Sequence, residues 1–141
     1  MDADNPDGRR AVPQEAAGPV RVLAAVIRRG ERYLVARRPT HKRHGGLWEF
    51  PGGKVERAES TAEALRRELG EELGVELESV GQELFAIVDP GSPFRIEFVE
   101  ASIRGEPRCL EHESLAWASL ADLGGMPLAP SDRRFVELRL R

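Results

Sequence analysis

The sequence predicts a single α/β domain. Strand-like runs at 20–28, 32–37, 84–88 and 94–103 are joined by a strongly signalled helix at 60–73 and a second near the C-terminus. Size agrees with that pattern. At 141 residues the chain fits one domain and can bury a hydrophobic core without a disulfide or metal staple. The composition, 40% apolar and 32% charged, is that of an ordinary globular protein, neither disordered nor fibrous.

Residues 1–18 carry Pro6, Gly8, Pro13 and Gly18 among scattered Asp and Ala. A flexible tail is expected there, with the folded domain at 19–141. The tail lacks the apolar run of a secretory signal. Val20 to Arg28 is apolar at nearly every position, which suits a strand buried on both faces. Arg29-Gly30-Glu31 reads as a turn and Arg32 to Arg37 as the second arm of a hairpin. His41 to Gly46 is a basic loop, and Leu47 to Phe50 a short extended run stopped by Pro51-Gly52-Gly53. Ser60 and Glu63 form a capping box opening a helix that Gly74 ends. On a wheel of about 100° per residue, Ala62, Leu65, Leu69 and Leu73 share one arc, the face expected to dock on the sheet. Leu84 to Val88 and Phe94 to Ile103 read as strands around an Asp89–Pro93 turn. The apolar phase of the second switches from Ile96 and Phe98 to Val99, Ala101 and Ile103, so a bulge is expected near Phe98. Leu115 to Trp117 reads as a last short strand. Pro130-Ser131-Asp132 opens a helix running to about Leu140.

Formal charge is −3, from 24 acidic and 21 basic residues. That argues against a nucleic-acid polymer as partner. No run approaches the roughly 18 apolar residues of a membrane span, so no membrane partner is expected. The one cysteine, Cys109, excludes an internal disulfide and a cysteine-based zinc site, and a reducing cytoplasmic setting is expected.

The net charge hides a local excess. Between Lys54 and Glu78 eight Glu face four basic residues, giving −4, while the rest of the chain sums to +1. Glu68, Glu71 and Glu72, at i, i+3 and i+4, are placed on the arc beside the leucine face. Such neighbours repel by about 0.2–0.5 kcal/mol per pair in solvent, and burial raises the cost. A hard divalent ion such as Mg²⁺ would relieve it. A solvated charged face is the alternative, and the commoner one for an arbitrary Glu-rich helix. Two features favour the ion. Arg67 stands four residues from both Glu63 and Glu71, where it can orient the cluster. Gly70 costs about 1 kcal/mol mid-helix against Ala, so a close backbone approach or a ligand is expected beside it.

The run from Gly53 to Val75, G-K-V-E-R-A-E-S-T-A-E-A-L-R-R-E-L-G-E-E-L-G-V, matches the Nudix box G-x5-E-x7-R-E-U-x-E-E-x-G-U, with U aliphatic. Gly53, Glu59, Arg67, Glu68, Leu69, Glu71, Glu72, Gly74 and Val75 fill every fixed position. The chain thus resembles the Nudix family. The resemblance implies an α/β/α sandwich with a mixed β-sheet between helices, and Mg²⁺-dependent hydrolysis (Mn²⁺ as the other ion) of a nucleoside diphosphate linked to another group. It implies Glu68, Glu71 and Glu72 as metal ligands, Glu59 as a supporting metal group and Arg67 as the residue orienting them. Gly53 falls at the metal, in a turn whose backbone approaches the phosphates, and Lys54 supplies a point charge to them.

Beyond the box, the run from Tyr33 through Gly-Gly-Leu-Trp-Glu-Phe-Pro-Gly-Gly-Lys resembles the MutT-type branch, which converts nucleoside triphosphates to monophosphate and pyrophosphate. In that branch Glu111 matches an additional glutamate, a further metal ligand or the base acting on water. Arg38 matches a basic position at the phosphate or sugar edge. Phe50 faces the nucleobase or the core, with the core favoured. Asp132 stands where oxidised-guanine enzymes often carry Asn. An ionised Asp only accepts hydrogen bonds, which suits the exocyclic amine of cytosine; a first-turn helix residue is the equal reading. The expected substrate is therefore an oxidised purine (8-oxo-dGTP-like) or a cytidine-type triphosphate. The alternatives are ADP-ribose or another nucleoside diphosphate derivative, and a non-catalytic nucleotide-binding module. The last is disfavoured because such modules usually lose box glutamates and this chain keeps them all. Pro90 fits a hairpin better than an ADP-ribose marker, and His41 and His44 read as solvent-exposed. The expected partner is a free nucleotide, met by a monomer or homodimer.

Overall fold

In a computed structural model the described residues are 18–141, so all but the last residue of the expected tail lies outside them. The elements are β1 (Val20–Val26), β2 (Arg28–Arg29), β3 (Arg32–Arg37), β4 (Trp48–Glu49), β5 (Gly52–Lys54), α1 (Thr61–Leu73), β6 (Glu76–Ile87), β7 (Phe94–Arg104), β8 (Ser114–Ser119), α2 (Leu120–Gly124) and α3 (Pro130–Leu140). One sheet has the order β5-β1-β7-β6, with β1 and β7 parallel and both outer pairs antiparallel. In the other, β3 pairs with β2, β4 and β8, all antiparallel.

The unbroken apolar run of β1 has its predicted cause, because both faces are covered. Leu23, Ala25 and Ile27 pack with Leu65, Leu69 and Leu73 of α1. Ala24 and Val26 pack with Phe98, Phe135 and Val136 on the α3 side. Two apolar layers thus hold the sheets between helices. Among the described residues no helix is long and apolar enough to cross a membrane.

The predicted capping box is present. The Glu63 N–H donates to Ser60 Oγ at 3.1 Å, and the Ser60 N–H to Glu63 Oε1 at 2.8 Å. Gly74 closes α1 at φ 67°, its N–H donating to Gly70 O. The buried stripe differs from the expected one. Ala64 takes the place of Ala62, and Glu72 lies inside the stripe. On the wheel Glu72 falls about 20° from Leu65, seven residues earlier. It therefore belongs to the docking face, not to the arc beside it.

Gly70 does not have the expected close neighbour. A Cβ there would meet only Val75 O, at 3.9 Å. With space available, the helix propensity of Ala decides the sign. Gly70→Ala is expected to raise stability by about 0.5–1 kcal/mol, read from a denaturant midpoint, with kcat unchanged. A fall in stability would mean the glycine meets something on this face.

A bulge does lie at Phe98, but its extra residue is in β6, not in β7. That strand runs in unbroken parallel register with β1, from Val20↔Phe94 to Val26↔Glu100. Its apolar phase switches because each half packs on a different layer, Ile96 and Phe98 on the α3 side and Val99, Ala101 and Ile103 on the α1 side. The register shifts lie in its pairing with β6, where Leu84 is the extra residue opposite Phe98 and Val99.

Two short strands position the site. Trp48 N–H donates to Pro127 O at 2.8 Å and Ala129 N–H to Trp48 O at 2.9 Å, pinning β4 to the start of α3. The expected chain stop at Pro51-Gly52-Gly53 is instead a turn into β5. That strand pairs with β1 through Ala24↔Gly52, Leu23↔Gly53 and Val22↔Lys54.

Candidate active site

A cleft of about 1040 Å³ opens where β1, β5, α1, the 38–44 loop, the 89–94 turn and the start of α3 meet. Of the residues singled out from sequence, Arg38, Phe50, Gly53, Lys54, Glu68, Glu72, Glu111 and Asp132 line it. Glu59, Arg67 and Glu71 do not.

The acidic helix supplies the densest charge. Glu72 is only 6% exposed and accepts one long hydrogen bond, from Gly52 N–H at 3.3 Å. Burial, then the neighbouring Glu68 carboxylate, pushes its pKa up to about 9. Gly53 stands against Glu68 so closely that a Cβ would run into the Glu68 carboxylate. Behind this pair Arg67 acts as a brace. It donates to both oxygens of Glu59, at 2.7 and 2.8 Å, to Glu68 Oε2 at 3.0 Å and to Lys54 O at 3.0 Å. Arg67 and the Glu56 N–H hold the Glu59 carboxyl at about 2.

These contacts show how three of the expected residues are held. Arg67 braces Glu59 and Glu68, while Glu63 serves the helix cap. Glu59 is engaged at both oxygens by Arg67, away from the cleft wall. The Glu71 side chain is 54% exposed and lies 3.6 Å from Arg67 Nη1. Among the described residues no three His, Cys, Asp or Glu side chains converge as a metal-binding group. The donor chemistry nevertheless fits a hard cation. Glu68 and Glu72 put carboxylate oxygens side by side, Glu72 with little water and one weak partner, an arrangement that costs energy without a positive charge.

Asp132, also in the cleft lining, is 8% exposed and accepts from Phe50 N–H at 2.9 Å. Burial raises its pKa to about 7. It stands in the first turn of α3, as the alternative reading has it, without capping the helix, whose N-cap is Ala129 with no side-chain bond. The Phe50 ring belongs to the core, the favoured of its two readings, and not to a side-chain contact with substrate. Its ring packs edge-on against Tyr33, Phe98 and Phe135 at centroid distances of 6.3, 5.9 and 5.4 Å. Lys54 Nζ lies 5.4 Å from the Phe94 ring centre. His44, read as solvent-exposed, is exposed but also lines the cleft, as Lys42 and Arg43 do.

Sequence reasoning missed two residues of the wall. Glu49 takes Arg38 Nη1 at 3.2 Å on Oε1, and His112 Nε2 lies 3.0 Å from its Oε2. Glu49 and His112 are 63 positions apart. The only local signal was an acidic residue between two aromatics in a short strand.

The chain matches the NUDIX domain family over residues 18–138. It is 41% identical over 122 residues to the CTP pyrophosphohydrolase of Escherichia coli K12, covering 84% of this chain and 89% of that protein. It is 32% identical over 87 residues to the 8-oxo-dGTP diphosphatase of Buchnera aphidicola subsp. Acyrthosiphon pisum, covering 59% and 70%. Its fold superposes on the MutT NUDIX hydrolase of Burkholderia pseudomallei with a TM-score of 0.74, at 35% identity, covering 84% and 96%. With every fixed position of the box filled and the family matched over most of its length, the chain belongs to the Nudix hydrolases.

Proposed function

We propose that this hydrolase cleaves a nucleoside triphosphate to the monophosphate and pyrophosphate, using Mg²⁺ (or Mn²⁺) and preferring a cytidine-type or oxidised-purine base. The observation that carries the reading is one cleft lined by two chemically distinct carboxyl sites. The like-charged Glu68–Glu72 pair and the buried Asp132 both line it. Nudix hydrolases generally use a divalent metal. Glu68, Glu72 and the main chain of Gly53 would hold it, joined by Glu71 and Glu111. When bound, the ion neutralises phosphate oxygens and lowers the pKa of an attacking water.

The remaining roles belong to the chain. Arg67 fixes the direction of Glu68, and Glu59 keeps Arg67 in place. Lys54 offers a point charge to the phosphates and Arg38 a second at the phosphate or sugar edge. Glu111 binds metal or takes the proton of water. Asp132 presents an acceptor suited to the 4-amino group of cytosine, and with its pKa near 7 it can also donate to an oxidised purine. The relatives named for CTP and for 8-oxo-dGTP support both bases. This reading places the enzyme in the cytoplasm, as a monomer or homodimer acting on free nucleotides.

The test is a Mg²⁺-dependent panel of canonical, oxidised and methylated nucleoside triphosphates with ADP-ribose, scored by product. Pyrophosphate from a cytidine or oxidised-purine triphosphate is the expected result. Orthophosphate release, preference for ADP-ribose, or nucleotide binding without turnover would each overturn it. Asp132→Ala should reorder the bases while pyrophosphate release continues; an unchanged order would remove Asp132 from base recognition.

A further inference from the structure

Glu111 sits in a stretch, 105–113, that forms neither helix nor strand. Its place depends on the neighbours that tie this stretch down. Upstream, Arg108 N–H donates to Leu73 O at 2.9 Å and Leu110 N–H to Glu72 O at 3.2 Å, so the segment hangs from the last turn of α1. Downstream, Glu113 N–H donates to Arg37 O at 2.9 Å, and the Glu113 carboxylate pairs with Arg37 at 3.0 Å.

Between those anchors His112 does something that packing alone does not explain. Its side chain is 7% exposed, and Nε2 lies 3.0 Å from Glu49 Oε2. Its Nδ1 is buried without a hydrogen-bond partner among the described residues. A carboxylate only accepts, so Nε2 carries the hydrogen of that bond. A buried polar atom without a partner costs stability, and an aliphatic side chain would fill the space without that cost. The imidazole is therefore best accounted for by its single bond. That bond reaches β4, where Arg38 holds Glu49 from the other side at 3.2 Å. The result is a cross-tie between two walls of the cleft, one residue from Glu111.

We propose that His112 is a positioning residue: by bonding Glu49 through Nε2–H it sets the place of Glu111 at the cleft wall. The inference rests on the reading that Glu111 takes part in hydrolysis. His112 touches no reacting atom and acts through its neighbour.

The test compares His112→Ala, His112→Gln, Glu111→Gln and the double variant His112→Ala/Glu111→Gln in the full chain. Pyrophosphate release is followed with the triphosphate turned over fastest, at saturating Mg²⁺. His112→Ala is expected to lower kcat about tenfold with KM unchanged, the scale seen when a partner that orients a metal-site residue is lost. His112→Gln, which keeps a donor at similar reach, recovers most of it and carries the test if the alanine variant fails to fold. In the Glu111→Gln background His112→Ala costs nothing more. A readout independent of turnover is the long-range ¹H–¹⁵N spectrum of the metal-free protein, where the His112 ring should show a protonated Nε2. A fall in kcat for Glu111→Gln but not for His112→Ala overturns the positioning role alone, as do additive losses or a ring whose Nε2 carries no proton. Full turnover in Glu111→Gln removes Glu111 from the reaction and the positioning role with it.

Discussion

Glu72→Gln is expected to lower kcat by at least about a hundredfold, roughly 3 kcal/mol of transition-state stabilisation, without unfolding the protein. The substitution keeps the shape of a side chain seated in the buried stripe of α1, so the stripe stays filled. What it removes is a charge. The wild-type carboxyl stands beside Glu68 with a pKa near 9, because burial and a like charge both oppose ionisation. A divalent cation reverses that balance by pairing with both carboxylates, and a neutral amide cannot replace the lost charge. Steady-state kinetics at saturating Mg²⁺ decides the matter. Near-wild-type turnover would take Glu72 out of the metal site.

The same variant has a stability consequence whose sign follows from the raised pKa. Between about 4.5, where the unfolded carboxyl ionises, and about 9, the folded metal-free protein holds a proton that the unfolded chain has released. Stability of the wild type in chelator should therefore fall as pH rises through that window. Asp132, also raised, contributes a similar fall up to about 7 in both proteins. The difference between the wild type and Glu72→Gln isolates Glu72, and it should grow in favour of the variant from pH 5 to pH 9. Saturating Mg²⁺ should shrink it, since an ion that binds the ionised pair stabilises the folded state. Parallel melting curves in chelator would mean that Glu72 ionises as an ordinary surface carboxylate does.

The site was legible in the sequence where its geometry is local. Glu68 and Glu72 lie one helical turn apart, so their shared direction follows from periodicity, and the capping box and Gly74 set the ends of the helix. Gly53 and Lys54 came with the same run of residues. What stayed hidden depends on pairing across the chain. Asp132 was named from sequence, but its bond to a main-chain N–H 82 positions away was not, and His112 reaches Glu49 across 63. Neither distance leaves a trace in local composition. The first half of β6 was missed for another reason. It is the outer strand of its sheet, with Glu76, Glu78, Ser79, Gly81, Gln82 and Glu83 exposed, so it lacks the apolar alternation that marks a half-buried strand. Phe98 and Val99 misled in the opposite way. A strand covered on both faces produces adjacent apolar residues, which mimic a bulge unless both layers are known.

The two glycines of β5 should separate folding from chemistry. Gly52→Ala is expected to destabilise the protein by about 3 kcal/mol, the upper end of ordinary overpacking, read from a denaturant midpoint. The new Cβ would run into the carbonyl oxygen of Leu23 and stand 3.3 Å from Ala24 Cα. Both are main-chain atoms, so no rotamer change relieves the clash. The residue also has φ +154°, which an L side chain rarely adopts. Leu23 itself cannot retreat, because β1 is locked on its other edge to β7 through seven successive pairs. Gly53→Ala meets a different neighbour, the Glu68 carboxylate at the far end of a flexible side chain. Rotation of Glu68 can absorb that clash at small cost to folding, yet it turns the carboxylate away from Glu72. Gly53→Ala should therefore stay close to wild type in denaturant midpoint while kcat falls at least about tenfold, on the scale of losing an orienting partner. Equal loss of stability in both variants would show that Glu68 is held too rigidly by Arg67 to turn. Full activity in Gly53→Ala would show that its carboxylate is not needed in that place.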